Sequence, residues 1–126
     1  MTFSVRDLPD FSGLRVLIVE DEMMLALTLE DMLKLMGCDV IKVARLAPAL
    51  KLAEAEEIGI ALLDLNLAGE RSYPVADTLK GRDIPFAFMT GYHVDDLRPE
   101  WRDRPILQKP FLMAELVRVI KAVSGR

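Results

Sequence analysis

Five short apolar runs divide the chain, and each ends near a polar or charged residue. The clearest is 58–65, which reads IGIALLDL and carries Asp64 near its end. An almost unbroken apolar run is typical of a strand buried on both faces of a parallel sheet, because helices cover such a sheet on both sides. The other runs are 14–19, 38–44, 85–90 and 105–109. The pattern therefore predicts five strands.

The segments between the runs have the spacing of amphipathic helices. Helices are predicted at 23–36, before Gly37, at 47–57 and from Pro74 to Gly81. At 100° per residue the first helix has a core stripe of Leu25, Leu29, Met32, Leu33 and Met36. The last helix has a stripe of Leu112, Leu116, Val119, Ile120 and Val123. We therefore predict an α/β fold, a doubly wound five-stranded parallel sheet in the flavodoxin-like order 2-1-3-4-5, with right-handed crossovers and helices on both faces.

Length and composition narrow the class of protein. A chain of 126 residues supports one domain, predicted at 14–126, after a leader at 1–13 that has no periodicity. The single cysteine excludes an internal disulfide, and no apolar run approaches the length of a membrane span or signal peptide, so we expect a cytoplasmic protein. The net charge of -4 argues against nucleic acid as a direct partner.

Polar side chains follow the predicted strands at the ends that carry the chemistry of α/β proteins. The carboxyl ends of parallel strands meet at one edge, so this edge should gather Glu20, Asp21, Asp64, Thr90 and Lys109. Two ionised carboxylates about 4 Å apart repel by about 4 kcal/mol at an effective dielectric near 20, so three of them need a counter-cation. Oxygen ligands without histidine or cysteine favour Mg²⁺.

The carboxylates suggest a division of labour around that metal. Asp21 is expected to bind Mg²⁺ directly, and Glu20 through water or by orienting other ligands. Asp64 and the backbone carbonyl of Asn66 are expected to complete the protein ligands. An isolated aspartate after an apolar run is usually a turn or helix cap, so the prediction depends on all the strand ends together.

A magnesium ion beside a carboxylate, with a lysine and a hydroxyl close to both, is an arrangement typical of phosphoryl-transfer sites. Asp64 is the expected nucleophile and would form an acyl phosphate. Thr90 is expected to donate a hydrogen bond to one phosphoryl oxygen. Lys109 is expected to pair with another, and with Asp64 itself before transfer.

Four motifs resemble the receiver domains of two-component response regulators, over residues 14–123. They are the acid pair in VLIVEDE, Asp64 in ALLDLN, Thr90 and Gly91 in FAFMTGY, and Lys109 in LQKPF. The resemblance implies a phosphoaccepting signalling protein rather than an enzyme, with Mg²⁺ as cofactor. It also implies phosphorylation of Asp64 by a histidine kinase or a histidine phosphotransfer protein in a phosphorelay. No output domain follows, so a stand-alone receiver is expected.

Two positions depart from the common receiver pattern. An aromatic switch residue usually stands three positions before the lysine, where this chain has Ile106, and the loop after the acceptor has Ala68 instead of proline. Both traits resemble the single-domain subgroup named for a Phe-Ala-Thr-Gly-hydrophobic-Tyr motif, the "FAT GUY" group. Phe88, Thr90, Gly91 and Tyr92 match that motif, while Met89 and His93 depart from it.

The segment 92–104 is where receivers usually place their fourth helix. It has seven charged residues among thirteen, with Pro99 inside, and few apolar residues to hold it on the sheet. We therefore predict that this helix is short, distorted or disordered. The predicted switch comprises Thr90, Gly91, Tyr92 and Ile106. Because Ile106 cannot swing as an aromatic ring does, Thr90 is expected to turn toward the phosphoryl group, pull Gly91 and Tyr92 with it and shift the segment's population.

The first helix also has apolar residues opposite its core stripe. Met24, Leu27 and Leu35 fall together there at the helical period. A cluster of this kind beside the predicted site suggests docking, and methionine adapts to a helical partner. As in the family, we expect the helical hairpin of the kinase to bind this face.

Two other functions share parts of this pattern. A phosphatase of the haloacid dehalogenase type also begins with an aspartate after an apolar strand, but it expects a second acid two residues later, where Asn66 stands, and a cap domain. A receiver fold that binds partners without being phosphorylated is the second alternative. The intact set of five site residues argues against it.

Overall fold

A parallel sheet forms the centre of the protein in a computed structural model that describes residues 7–91 and 97–126. The described strands are β1 (Arg15–Val19), β2 (Asp39–Val43), β3 (Ile60–Asp64), β4 (Asn66–Leu67), β5 (Glu70–Arg71), β6 (Phe86–Thr90) and β7 (Ile106–Gln108). Five of them pair in the order β2-β1-β3-β6-β7, and every neighbouring pair is parallel. The predicted fold class and strand order are confirmed. Every residue of β3 and β6 is buried, as their apolar runs predicted.

Helices cover both faces of this sheet. The described α-helices are α1 (Met23–Leu35), α2 (Leu46–Ala55), α3 (Tyr73–Gly81) and α4 (Met113–Ser124), and the first three lie within two residues of their predicted bounds. One core cluster joins the sheet to α2 and α3, and the other joins it to α1 and α4. Among the described residues, no helix is both long and apolar enough to cross a membrane.

A small hairpin follows β3, where the sequence indicated only a turn. β4 and β5 pair antiparallel across residues 68 and 69. Ala68 and Gly69 both have positive φ, 51° and 91°, as a tight two-residue hairpin turn requires. Leu67 is 2% exposed and anchors the hairpin in the core. At its base, the backbone N–H of the fully buried Ser72 donates to the Leu65 carbonyl (3.0 Å).

Leu112 and Phe11, towards the two ends of the chain, differ in burial from what the sequence predicted. Leu112 was predicted in the core stripe of the last helix, which is wrong. It lies just before α4 in extended backbone, off the helical stripe, and is 71% exposed. Phe11, in the predicted leader, is 2% exposed, and its N–H donates to the Met36 carbonyl (2.7 Å). The division at residue 13 stays a prediction.

The end of the segment 92–104 covers the sheet with an aromatic side chain. Its first five residues, from Tyr92 to position 96, lie outside the described residues. The remainder has a 3-10 helix at Pro99–Trp101. The Trp101 ring is buried, with its centroid 5.7 Å from that of Phe86 and 5.9 Å from that of Phe88. The guanidinium of Arg104 lies 4.4 Å from the Phe86 ring centroid.

Trp101 should therefore contribute strongly to stability. We expect Trp101→Ala to lower the free energy of unfolding by about 3–5 kcal/mol, because it removes a large buried ring and leaves a cavity. Trp101→Phe, the control, should cost much less, since it keeps an aromatic ring against Phe86 and Phe88. Urea unfolding followed by circular dichroism measures both. A loss within about 0.5 kcal/mol for Trp101→Ala, as for a surface substitution, would show that the ring does not pack in the core.

Candidate functional site

Three carboxylates gather at the carboxyl edge of the sheet. Glu20 and Asp21 follow β1, and Asp64 ends the neighbouring strand β3. Each residue offers one carboxylate oxygen, and these three oxygens all lie within 4.8 Å of one another. The strand ends therefore bring together the three acids that the sequence singled out. Glu20 is the most enclosed, since its side chain has no solvent exposure.

Lys109 supplies the positive charge inside this group. It follows β7, and its backbone N–H donates to the Thr90 carbonyl (2.8 Å), which holds the two strand ends together. The Lys109 Nζ donates to Glu20 Oε1 at 2.6 Å and lies 3.4 Å from Asp64 Oδ1. The predicted contact with Asp64 is present, but Glu20 is the nearer partner. That preference could not be predicted from the sequence, because it depends on the distance between the ends of β1 and β7, which are separated in the sheet by β3 and β6.

Backbone N–H groups hold the carboxylates in place. The N–H of Glu22 donates to Glu20 Oε2 (3.1 Å). The N–H of Asn66 lies 3.4 Å from Asp64 Oδ1. The N–H of Ala68 donates to Asp21 Oδ2 (3.1 Å) and so fastens the hairpin to the end of β1. These donors partly offset the repulsion among the acids.

A cleft of about 400 Å³ opens above the carboxylates. Its lining includes most of the predicted site residues and one that the sequence analysis missed, Arg71; the set is Asp21, Asp64, Leu65, Asn66, Arg71, Thr90, Gly91 and Lys109. Thr90 is 5% exposed. Of the remaining switch residues, Ile106 is half-buried against the core cluster on the α2 and α3 side, and Tyr92 lies outside the described residues.

Burial and the neighbouring charges shift the pKa values of the site residues. Burial raises the pKa of Glu20 from its ordinary 4.5 to about 7; the Asp64 charge adds to this, while Lys109 and the Glu22 N–H oppose it. Burial likewise raises the pKa of Asp64. For Lys109, burial favours the neutral amine, but the contacts with Glu20 and Asp64 outweigh it and raise the pKa. The cluster without a metal therefore tends to retain a proton near neutral pH.

The outer face of α1 is apolar, as the sequence indicated. Met24 is 71% exposed, Leu27 38% and Leu35 59%. Two further exposed residues, Met23 and Leu112, were not anticipated as part of an apolar surface. A second cleft, of about 410 Å³, connects this helix to the site; it is lined by Glu22, Met24, Leu25, Thr28, Lys109 and Pro110.

The fold and this edge together define a doubly wound α/β domain with an acidic, metal-type cleft at the carboxyl ends of its strands. A family model described as response regulator receiver domain matches residues 16–121. The chain belongs to this family. Its members are signalling domains of two-component systems rather than enzymes, and they bind Mg²⁺ at an acidic pocket.

Relatives extend the comparison. The chain is 37% identical over 130 residues to the phyllosphere-induced regulator PhyR of Methylorubrum extorquens; the match covers 92% of this chain and 48% of PhyR, so the chain spans about half the length of that relative. A solution structure of SdrG from Sphingomonas melonis Fr1 is 41% identical, with a TM-score of 0.79, over 96% of this chain and 98% of that one.

Two similar solved structures contain BeF₃ or a magnesium ion. The BeF₃-activated conformation of SdrG is also 41% identical, with a TM-score of 0.78, and covers 90% of this chain and 98% of that one. The receiver domain of the sensor histidine kinase PA1611 from Pseudomonas aeruginosa PAO1 has a magnesium ion coordinated in its active-site cleft. It is 26% identical, with a TM-score of 0.73, and covers 91% of this chain and all (100%) of that one.

The raised pKa of Glu20 predicts how the metal-free protein responds to pH. Between 4.5 and about 7 the folded protein binds a proton that the unfolded chain has released. The free energy of unfolding should therefore fall as pH rises through this window, by at most about 1.4 kcal/mol per pH unit. Glu20→Gln keeps the side-chain shape without the titration, so its stability should change less. Urea unfolding with a chelator, measured across this range, tests this. A wild-type stability that rises with pH here would contradict the assignment.

Proposed function

We propose that this protein is a phosphoaccepting response regulator of a cytoplasmic phosphorelay, which receives a phosphoryl group on Asp64 from a histidine kinase or a histidine phosphotransfer protein with Mg²⁺ as cofactor. The observation that carries the proposal is the placement of Glu20, Asp21 and Asp64 oxygens within 4.8 Å of one another, with Lys109 Nζ 3.4 Å from Asp64. Membership in the receiver family supports it.

The donor set fits Mg²⁺. All three side chains offer carboxylate oxygens, the ligand type that this hard cation prefers, and the one lysine among them cannot balance three acids. We assign direct contact to Asp21 and Asp64, a water-mediated or orienting role to Glu20, and a backbone carbonyl to Asn66. When bound, Mg²⁺ supplies neutralisation of negative charge on the carboxylates and on the phosphoryl oxygens.

The chain's own residues then perform the transfer. An Asp64 carboxylate oxygen attacks phosphorus, and the bond from phosphorus to the donor nitrogen or oxygen breaks with the electron pair leaving on the donor. Lys109 holds the Asp64 carboxylate before attack and then pairs with a phosphoryl oxygen. Thr90, at the end of β6 on the wall of the cleft, donates its hydroxyl to another phosphoryl oxygen.

The response to phosphorylation passes through the end of β6. Thr90 and Gly91 line the cleft and lead directly into 92–104. Ile106 replaces the aromatic residue common in receivers, so we assign the switch to Thr90 and the backbone of Gly91, with Tyr92 retained as a predicted member. The packed Trp101 ring lies in the same segment and would report its movement.

The alternatives differ in their support. The receiver family match and the neutral Asn66 at the position of a second acid leave no observation in favour of a phosphatase. A receiver that binds partners without being phosphorylated would show no adduct when the folded wild-type protein is treated with acetyl phosphate and Mg²⁺.

Phosphorylation by a small donor tests the proposal. Acetyl phosphate with Mg²⁺ should add one phosphoryl group to the wild-type protein, as measured by intact mass, because the cation relieves the repulsion around Asp64. Asp64→Asn, the matched control, should gain nothing, and excess chelator should prevent the reaction. The same adduct on Asp64→Asn, or none on folded wild-type protein with Mg²⁺, would contradict the proposal.

The apolar face of α1 is proposed as the docking surface for the kinase or phosphotransfer protein. The double substitution Met24→Ser, Leu27→Ser should slow transfer from the cognate kinase about tenfold or more, since it removes exposed apolar contacts near the site. The rate from acetyl phosphate serves as the control and should not change, because that donor needs no protein surface. An unchanged rate of transfer from the kinase would exclude this docking surface.

A further inference from the structure

The hairpin of β4 and β5 places a cation, Arg71, beside the acid cluster. Arg71 is not among the residues that match the receiver motifs. Asn66 and Arg71 are paired directly across the hairpin, so their side chains project from one face, while Leu67 projects from the other into the core. Both Asn66 and Arg71 line the cleft above Asp64. Arg71 thus lines the same cleft in which a group on Asp64 would stand.

The backbone that carries Arg71 is fixed from three sides. The turn is fastened by the hydrogen bond from the Ala68 N–H to Asp21, the buried Leu67 anchors the strand, and the buried Ser72 follows Arg71 immediately. The Arg71 guanidinium itself forms no hydrogen bond or ion pair with the part of the chain that the structure describes. The hairpin therefore holds the base of an arginine whose charged end is unpaired among the described residues.

The charge balance of the phosphorylated site favours a second cation in addition to Lys109. Glu20 and Asp21 carry two negative charges, which a divalent metal balances. A phosphoryl group on Asp64 adds about two more, of which Lys109 offsets one. The Lys109 Nζ also lies 2.6 Å from Glu20 Oε1, so the lysine charge already neutralises part of the Glu20 charge. A guanidinium supplies the missing charge and can bind two phosphoryl oxygens through its planar fork.

We propose that Arg71 is a second phosphoryl-binding residue, which contacts the phosphoryl group on Asp64 from the side of the hairpin. This inference rests on the proposed function, because it requires a phosphoryl group at Asp64. It assigns a functional role to the hairpin: the contact from Ala68 to Asp21 sets the position of Arg71 relative to the acids.

Beryllofluoride, a mimic of the phosphoryl group, is the probe. With saturating Mg²⁺, Arg71→Gln should bind beryllofluoride about tenfold more weakly than wild type, the size expected for loss of a charge-assisted contact of about 1.4 kcal/mol. Arg71→Lys should recover part of the loss, since it restores the charge but not the fork. Arg118→Gln is the matched control, because it removes an exposed arginine from α4, outside the cleft, and should bind as wild type does. Fluorine NMR of the bound probe gives the affinities.

A second measurement separates direct contact from damage to the hairpin. Removing a cation near the acids should leave Mg²⁺ affinity unchanged or increase it, whereas a distorted hairpin would disturb Asp21 and lower it. Arg71→Gln with wild-type affinity for beryllofluoride, or with equal losses for Mg²⁺ and beryllofluoride, overturns the role of Arg71 and leaves the proposed function intact. No binding of the probe by folded wild-type protein, or equal binding by Asp64→Asn, overturns both.

Discussion

The repulsion among three carboxylates held at one sheet edge is the constraint on which the site depends. Glu20 is enclosed by protein and Asp64 is nearly so, and neither can move apart because each is part of, or directly follows, a buried central strand. Lys109 and the backbone donors offset only part of the cost of holding these charges together, since burial, with a smaller contribution from the Asp64 charge, still raises the pKa of Glu20. A divalent cation relieves the remaining repulsion among the carboxylates, which favours its binding. The packed sheet that holds the acids together therefore also favours metal binding at this site.

The same edge couples the chemistry to the surfaces that meet partners. Lys109 lies in both clefts, the one above Asp64 and the one that begins at Met24 on α1. A donor bound on the outer face of α1 would therefore stand close to the acceptor. On the other side, Thr90 leads into the segment that ends in Trp101, whose ring packs on Phe86 and Phe88 of β6. Strand β6 thus ends in the site residue Thr90, and its Phe86 and Phe88 side chains form the surface on which Trp101 packs.

The fold and the identity of the acids could be predicted because both depend on local pattern. Buried parallel strands require apolar runs, and Asp64 stands out because it interrupts one. The strand ends then meet at one edge by topology, which is why Glu20, Asp21 and Lys109 could be grouped without coordinates. The resemblance of four short motifs to receivers added the expected roles.

The features that escaped prediction depend on contacts between distant parts of the chain. Ala68 was not expected to adopt positive φ, so the hairpin and the orientation of Arg71 were missed. Trp101 stands in a polar stretch, and only the packed structure shows that it covers Phe86 and Phe88. Leu112 fits the helical period of α4, but the helix begins one residue later. Periodicity does not report where a helix starts or what lies across from a loop.

Calorimetric titration of the metal-free protein with Mg²⁺ measures whether the carboxylate cluster binds a divalent cation. We expect saturable binding of one Mg²⁺ per chain, with affinity reduced more by Asp21→Ala than by Glu20→Ala, because the first residue is assigned direct contact and the second is not. Binding should also release protons near neutral pH, since the raised pKa of Glu20 means that the cation displaces a retained proton. If the folded wild-type protein shows no saturable binding, or if Asp21→Ala binds Mg²⁺ as well as wild type, the carboxylate cluster is not the metal site proposed for it.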